Sequence, residues 1–529
     1  MLITSSQDNN NNKQPHTSSL ASSIQPIEID FGKTQSNSDY AFMQLELQQP
    51  SYILSSTSSN IFEEIINRTG FTYLQIKTLL LTGCIYLIEG LQVSLSCLLF
   101  IPITSIYNTS TIISCVVSSS LLFFMAIGSF FTGYLTSIYQ RRFILTTCLL
   151  ITGIASFISC IQTIYILFLS RSVIGLSLGA IIPITTNNLA ELLPNKNRSF
   201  WLISDTIFFS VGAIISCELL YLLWPNMTVL FICLSLFSFA VYGVYLYMYT
   251  ENPRYLILNG EHEKGFEIIE TYMNDGKELD EAERTQIIKS VDFGMNKEVK
   301  LIGKVQFIFK RYFKITSILT CIWVLYSIMI NGGVFHFFMG LIYTSSSSFN
   351  NDIQLFTNNK AAFHGFQVFY VLFGVSVLIS GVITEIKVIG RKYTMLCGFV
   401  LATLISIYIA SIGFNGGYYL YACGACVINI SVNAIHSYSV EVFPTRVRDF
   451  SVGYLQFISR ICGFLSNVFV VALFEYSTNW IFYLNVVIGV SGLVFTLLLP
   501  FDTYERGLLD KAIDVEQKDK EREGEEIII

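Results

Sequence analysis

The chain has 529 residues, of which 52% are hydrophobic and only 13% charged, and its mean hydropathy is +0.56. Average soluble domains carry roughly twice that charged fraction, so this much apolar side chain calls for a bilayer, and a soluble enzyme is excluded. The formal net charge of −6 identifies no partner, and no nucleic acid is expected to bind.

Residues 1–68 are rich in Ser, Asn, Gln and Thr and lack an apolar stretch of signal-peptide type, which predicts a disordered cytosolic N-terminal tail. Apolar runs of about twenty residues then recur, the length a helix needs to cross about 30 Å of hydrocarbon. Helices are required because backbone polar groups in lipid must pair within their own segment. A first bundle over 69–249 holds spans at 73–101, 113–137, 143–163, 164–190, 199–222 and 226–249. Residues 250–313 carry dense mixed charge with spaced apolar positions (Phe266, Ile269, Ile287, Ile288), as expected of short amphipathic cytosolic helices joining two bundles. A second bundle over 314–500 holds spans at 314–341, 361–384, 393–414, 417–440, 449–474 and 479–500, and 501–529 reads as a charged cytosolic tail. The predicted fold class is thus an all-α membrane protein of twelve transmembrane helices in two six-helix bundles.

Lys and Arg favour the cytosolic side of short loops. The connections holding Arg141 and Arg142, Lys196 and Arg198, Arg391 and Lys392, and Arg446 and Arg448 are therefore cytosolic, as are both termini, and the Asn108 and Asn226 sequons face outside or lumen. The twelve cysteines sit mostly in apolar segments and read as packed, reduced thiols, Cys423 and Cys426 included; no metal site or cofactor is expected.

Two patterns repeat at one offset. Glu191-Leu-Leu-Pro194-Asn-Lys-Asn-Arg198 and Glu441-Val-Phe-Pro444-Thr-Arg-Val-Arg448 share E-x-x-P-x-x-x-R at a separation of 250 residues, and the cation pairs Arg141–Arg142 and Arg391–Lys392 share the same separation. Six spans per half put both copies on the same membrane face, so the halves are parallel repeats related by a pseudo-two-fold axis along the membrane normal, enclosing a midplane cavity.

At these residues the chain resembles the major facilitator superfamily over about residues 70–510. Gly133, Leu135, Arg141 and Arg142 match its G-x-L-A-D-R-x-G-R-R loop, with Ser137 in place of the acid and Gln140 in place of the glycine; the second copy keeps Gly390, Arg391 and Lys392, with Lys387 where an acid is usual and Glu385 two residues early. The lost acids count against the family's usual acid-mediated gate contact at this loop. Glu251-Asn-Pro253-Arg254-Tyr255-Leu256, Leu499-Pro500-Phe-Asp502-Thr503-Tyr-Glu-Arg506 and Phe443-Pro444-Thr445-Arg446-Val447-Arg448 resemble segments shared by synaptic-vesicle-protein-related transporters, organic ion transporters and sugar porters, the first two groups being the better match.

The motifs place carboxylates and guanidinium groups at the cytosolic ends of facing bundles. Arg141, Arg142, Glu191, Arg198, Asp205, Glu251, Arg254, Arg391, Glu441, Arg448, Asp502 and Arg506 are the candidates for a cytosolic gate of ion pairs, beside the simpler reading as topology determinants and helix-end charges. Within the membrane, where an ionisable group costs roughly 3 kcal/mol or more, Glu89 and Arg460 lie at similar depth, and their opposite charges point to pairing across the cavity, with a purely structural buried pair as the alternative. Gln92, Asn331, Asn433 and Tyr438 are candidate hydrogen-bonding groups around it. Arg171 opens a partial match to the family's R-x-x-x-G-x-G-x-G pattern, a resemblance that implies a part in proton coupling. His336, His364 and His436 read first as packing residues.

The expected function is a secondary active or facilitative carrier of a small organic solute working by alternating access, with organic ions among the candidate solutes and a proton as the candidate coupling ion. The chain is expected to act as a monomer in a plasma or intracellular vesicle membrane. The alternative is a transporter-like receptor or trafficking protein of vesicle membranes with little transport activity.

Overall fold

The computed structural model describes residues 65–67, 70–258, 260–273, 278–292, 308, 310, 312–333, 360–412, 414–443, 445–474 and 480–503. Residues 1–64 and 504–529 of the two predicted tails, residues 334–341 of the seventh span, His336, Pro444 and Arg506 lie outside them, whereas residues 65–67, predicted as disordered tail, are helical and bury Ile66 against Leu74 and Leu192.

The described residues are helical throughout their regular segments. In the first half the spans are α1 (Tyr73–Leu98) continued by α2 (Phe100–Tyr107), α3 (Thr111–Ile138), α4 (Arg141–Ile158), α5 (Ile164–Leu192), α6 (Arg198–Asp205) continued by α7 (Ile207–Leu223), and α8 (Met227–Met248). Three short helices follow: α9 (Pro253–Leu258), α10 (His262–Met273) and α11 (Glu281–Asp292). The second half comprises α12 (Phe313–Ser327) with a π-helical turn at Ile328–Gly332, α13 (Lys360–Thr384), α14 (Gly390–Ile412), α15 (Phe414–Val442), α16 (Thr445–Phe474) and α17 (Trp480–Leu497). Eleven of these spans are long and apolar enough to cross a membrane by length and composition, and α15, with 29 residues, stands tenth and completes twelve. Large apolar side chains such as Phe131, Leu169, Leu404 and Val487 stay exposed, as a lipid-facing surface requires.

Lipid supplies no hydrophobic drive between helices, so close backbone approach carries the packing. Gly175 and Gly179, one helical turn apart on α5, sit against the carbonyl oxygens of Leu121 and Met125 on α3; a Cβ there would meet them at 2.3 and 2.1 Å. Gly128 of α3 faces the Leu176 carbonyl in return, at 2.2 Å. Four residues further on, Pro183 has no N–H to give the Gly179 carbonyl. The Ser129 hydroxyl on α3 lies 3.1 Å from that carbonyl and shares its one proton between it and the Met125 carbonyl at 2.9 Å. The glycines and proline thus bind the second and fourth spans into one unit.

The halves meet along two seams, α3 against α16 and α7 against α13. Phe130 packs on Phe450 and Phe457 in the first, and Phe209 on Tyr370 and Phe373 in the second. The amphipathic linker helices turn Ile257, Phe266, Ile269, Leu279 and Ile287 into a cluster with Leu74 and Leu192 of the first bundle.

Three features depart from the predicted spans. The fifth is interrupted at Thr206, the seventh loosens into the π turn, and the loop cations Arg141 and Arg391 lie inside the first turns of helices. The reason for the last is local: the amides at those helix starts find side-chain acceptors elsewhere in the chain, described below.

Gly179→Ala is expected to cost about 1–3 kcal/mol through overpacking and to lower the monodisperse fraction in size-exclusion chromatography from detergent. Gly243→Ala, where a Cβ meets nothing within 4 Å, should leave that fraction unchanged.

Candidate functional site

Two groups of polar residues lie between the bundles: one at mid-span and one on the face that carries the repeated motifs, called here the motif side.

At mid-span, Nη2 of Arg460 on α16 donates to Oε1 of Glu89 on α1 at 3.0 Å, and Nη1 lies 3.3 Å from the Met125 sulfur on α3. Both charged side chains are nearly buried, at 14% and 9% exposure, so each is the other's main compensation. The π turn of the seventh span starts one residue after Ser327, whose hydroxyl donates to the carbonyl of Ser459, the residue before Arg460. Asn331, inside that turn, donates to the Ser327 carbonyl at 3.2 Å and hydroxyl at 3.1 Å. A π turn widens the helix and often marks a functional site. Trp323 stacks edge-on with Tyr326 and lies 6.1 Å from the His436 ring, while its indole N–H is held by Ser439 at 3.0 Å.

Other expected members are held elsewhere. Gln92 accepts from Arg171 at 2.8 Å and donates to Ser156 at 3.2 Å, so both residues sit inside the first bundle, with Phe231 5.5 Å below the guanidinium. Tyr438 donates to the Phe501 carbonyl at 3.0 Å and so belongs to the end of the twelfth span. Asn433 is buried, and its amide nitrogen has no hydrogen-bond partner among the described residues.

On the motif side each half builds the same pair. Arg141 binds Glu191 through two contacts of 3.0 and 3.4 Å, and Arg391 binds Glu441 at 3.1 Å. Asn252 adds a third donor to Glu191 at 2.8 Å. The acids after the sixth and twelfth spans have matching roles as well: Glu251 accepts from the Arg142 amide at 3.1 Å and Asp502 from the Lys392 amide at 2.7 Å. Each carboxylate therefore satisfies an otherwise unpaired N–H at a helix start. These two contacts stay within one half and fasten the loops after the sixth and twelfth spans to their own bundles. Arg142 and Lys392 likewise point back to carbonyls of their own half, at Leu246 and at Leu497 and Leu499. Arg198 and Arg448 fold onto the carbonyls at their helix ends, Leu193 for the first and Val440 and Phe443 for the second, and Arg254 is buried beside Asn252.

The contacts that cross between halves come in a reciprocal set. Asp449 takes Arg141 at 3.3 Å and Asn187 at 2.7 Å. At the positions 250 residues away, the Ser199 hydroxyl meets Ser437 and donates to Glu441 at 3.0 Å. Arg448 adds a longer ionic contact to Glu191 at 3.7 Å. Glu385 accepts from the Phe200 amide at 3.2 Å and pairs with Arg391 at 3.6 Å. The acid displaced by two residues in the second loop thus makes a contact between the halves after all, whereas in the first loop Ser137 is exposed and bonds the Tyr134 carbonyl of its own helix. Asp205, expected at this gate, forms no ion pair among the described residues.

Two half-bundles joined by a mid-span ion pair and closed at one face by reciprocal polar contacts are the architecture of a membrane carrier. The Major Facilitator Superfamily model matches residues 82–467, and the chain belongs to that family. It is similar to organic cation/carnitine transporter 7 of Arabidopsis thaliana, with 26% identity covering 85% of this chain and 95% of that one. Similarity to the putative transporter svop-1 of Caenorhabditis elegans is 22% identity over 93% and 94% of the two chains. Among solved structures, the proton:xylose symporter XylE bound to 6-bromo-6-deoxy-D-glucose has the same fold, with a TM-score of 0.65 at 15% identity over 82% of this chain and 97% of that one. The protein is accordingly a small-solute membrane transporter and not an enzyme.

Asp449→Asn removes the charged partner of Arg141 in the other half and should destabilise the closed motif side by about 2 kcal/mol, the scale of a hydrogen bond to a charged group. Pulsed spin-label distances between the halves on that side are expected to shift toward longer values. Acid should act in the opposite sense. Burial pushes the Glu385 carboxyl above the usual carboxylate range, against the pull of Arg391, and opening of the face is expected to remove that burial. The closed form therefore binds the proton more tightly, closure is favoured as pH falls through the raised range, and that advantage is lost as pH rises past it. Glu385→Gln should flatten this pH dependence of the same distances.

Proposed function

We propose that the protein carries a small charged organic solute by alternating access, with the Glu89–Arg460 pair as the centre of the binding site and a proton as the coupling ion. The observation behind this reading is the single contact of 3.0 Å between oppositely charged, nearly buried groups on different bundles. Removing one partner from such a pair leaves a buried charge at a cost of about 3–5 kcal/mol. A solute can separate the pair only by replacing one partner with its own charge, or when a proton neutralises Glu89. That requirement favours solutes bearing a carboxylate or an ammonium group, and the ring surfaces of Trp323, Tyr326 and His436 nearby suit an apolar or cationic body. The names of relatives agree in kind: an organic cation/carnitine transporter, and a niacin transporter of Acinetobacter baylyi at 23% identity.

In this reading the motif side is the cytosolic face, both termini lie there, and the contacts across Asp449, Ser199 and Glu385 close the inner gate. The molecule works as a monomer in a plasma or vesicle membrane, as its similarity to synaptic vesicle 2-related proteins allows.

Uptake by proteoliposomes of a panel that includes carnitine and niacin, with and without an imposed pH gradient, tests the reading. At least one charged solute should accumulate, faster with the gradient, and Glu89→Gln and Arg460→Ala should each reduce its uptake tenfold or more. If no member of the panel is taken up, and neither substitution alters solute binding, the receptor alternative replaces the carrier.

A further inference from the structure

Asp205 is a buried charge site that the arrangement above does not use. The residue is 1% exposed, and neither carboxylate oxygen has a hydrogen-bond partner among the described residues. The titratable groups within electrostatic reach are Cys84 and Tyr86 of α1 and Tyr245 of α8. Both hydroxyls are committed elsewhere, Tyr86 to Thr186 at 2.9 Å and Tyr245 to the Leu81 carbonyl at 2.9 Å. The charged groups on the other elements packed against α6 also have partners of their own. Glu191 of α5 is held by Arg141, Glu441 of α15 by Arg391 and Ser199, and Glu385, beyond α13, by Arg391 and the Phe200 amide. Arg198, on Asp205's own helix, turns to the Leu193 carbonyl. An ionised carboxylate in such a place would carry an uncompensated desolvation cost of several kcal/mol. A neutral carboxylic acid would not.

The segment that carries Asp205 is also the one that the motif-side contacts hold. Helix α6 is eight residues long. Near its start, Ser199 and Phe200 bond Glu441 and Glu385 of the other half. It ends on Asp205, where the helix pattern tightens: Thr206 N bonds the Ile203 carbonyl at 3.0 Å, and Phe209 N bonds the Thr206 carbonyl at 3.1 Å. Three-residue spacing inside a span often marks a hinge. Separation of the motif side therefore pulls on a short lever with the buried acid at its pivot.

From this juxtaposition we propose that Asp205 is a proton-binding site, loaded while the motif side is closed and emptied when that side opens. The inference rests on the alternating-access reading given above. The step is a proton transfer alone. The carboxylic O–H bond breaks, its electron pair stays on the Asp205 oxygen, and the proton passes to water entering behind α6. Asp205 would then be a second acid beside Glu89, with Tyr86 in reach of both charges.

Infrared spectroscopy of the full-length protein in lipid bilayers, recorded as a function of pH, reads this directly. The carbonyl stretch of one protonated carboxylic acid per chain should persist at neutral pH, where exposed carboxyls have ionised. It should vanish in Asp205→Asn, remain in Glu89→Gln, move in frequency in Asp205→Glu, and titrate away at lower pH in Asp449→Asn, whose motif side is loosened. A wild-type protein with no such band at neutral pH overturns the proposal without recourse to any variant, as does a band that Asp205→Asn leaves in place. The band requires no solute. Uptake without the band removes the proton site alone, and the band without uptake of any solute keeps the proton site and removes the carrier reading.

Discussion

A charge at bilayer depth has no water to fall back on, and the placement of this protein's polar groups follows from where each buried charge finds its counterpart. Arg141 has Glu191, Arg391 has Glu441, and Arg460 has Glu89. The first two pairs lie within single halves and join the third and fourth, and the ninth and tenth, spans. The third joins the halves themselves. A solute that competes for one member of the third pair therefore acts on the contact between bundles while leaving each bundle's internal pairing intact. Arg171 is the exception: its recorded partners are an amide oxygen and an aromatic face inside the first bundle.

The packing supports this division of labour. Spans two and four are held by glycine contacts and by the Ser129 bond to the carbonyl that Pro183 leaves free, a connection that cannot stretch without exposing backbone to lipid. In the second half the corresponding backbone bond runs from Ser380 to the Ile430 carbonyl at 3.1 Å. Between halves the seams combine aromatic rings and single polar contacts with close glycine approaches, Gly133 to Phe450 and Gly453 to the Ser129 carbonyl. Rigid units separated by replaceable contacts are the mechanical requirement for rocking one bundle against the other.

Much of this was legible in the sequence because duplication writes the same residues twice. The twelve spans, the shared orientation of the halves and the residues Arg141, Glu191, Arg391 and Glu441 all lie on the 250-residue repeat, although their pairing within each half was not expected. The positions that differ between copies were harder to read. Asp449 and Ser199 occupy equivalent places but are unlike residues, so matching the motifs passed over both. Tyr438 and Gln92 were placed at the cavity from depth alone, and depth does not fix which face of a helix a side chain occupies. Glu251 and Asp502 were expected to bridge the gate, yet each lies closer to an unpaired helix-start amide of its own half than to any opposing cation in the described contacts. The breaks at Thr206 and Ile328 leave no mark in hydropathy, because they change backbone spacing and not side-chain polarity.

The unlike pair at positions 199 and 449 has a consequence for how the closed face comes apart. Two identical halves would carry two identical latches, which would respond to every condition in the same way. Here one latch is a carboxylate held by a guanidinium and an amide, an ionic contact open to screening by salt. The other begins with two hydroxyl groups that carry no charge of their own. Divergence at two equivalent positions, 199 against 449 and 187 against 437, has thus given the two cross-half contacts different chemistry within one repeated frame.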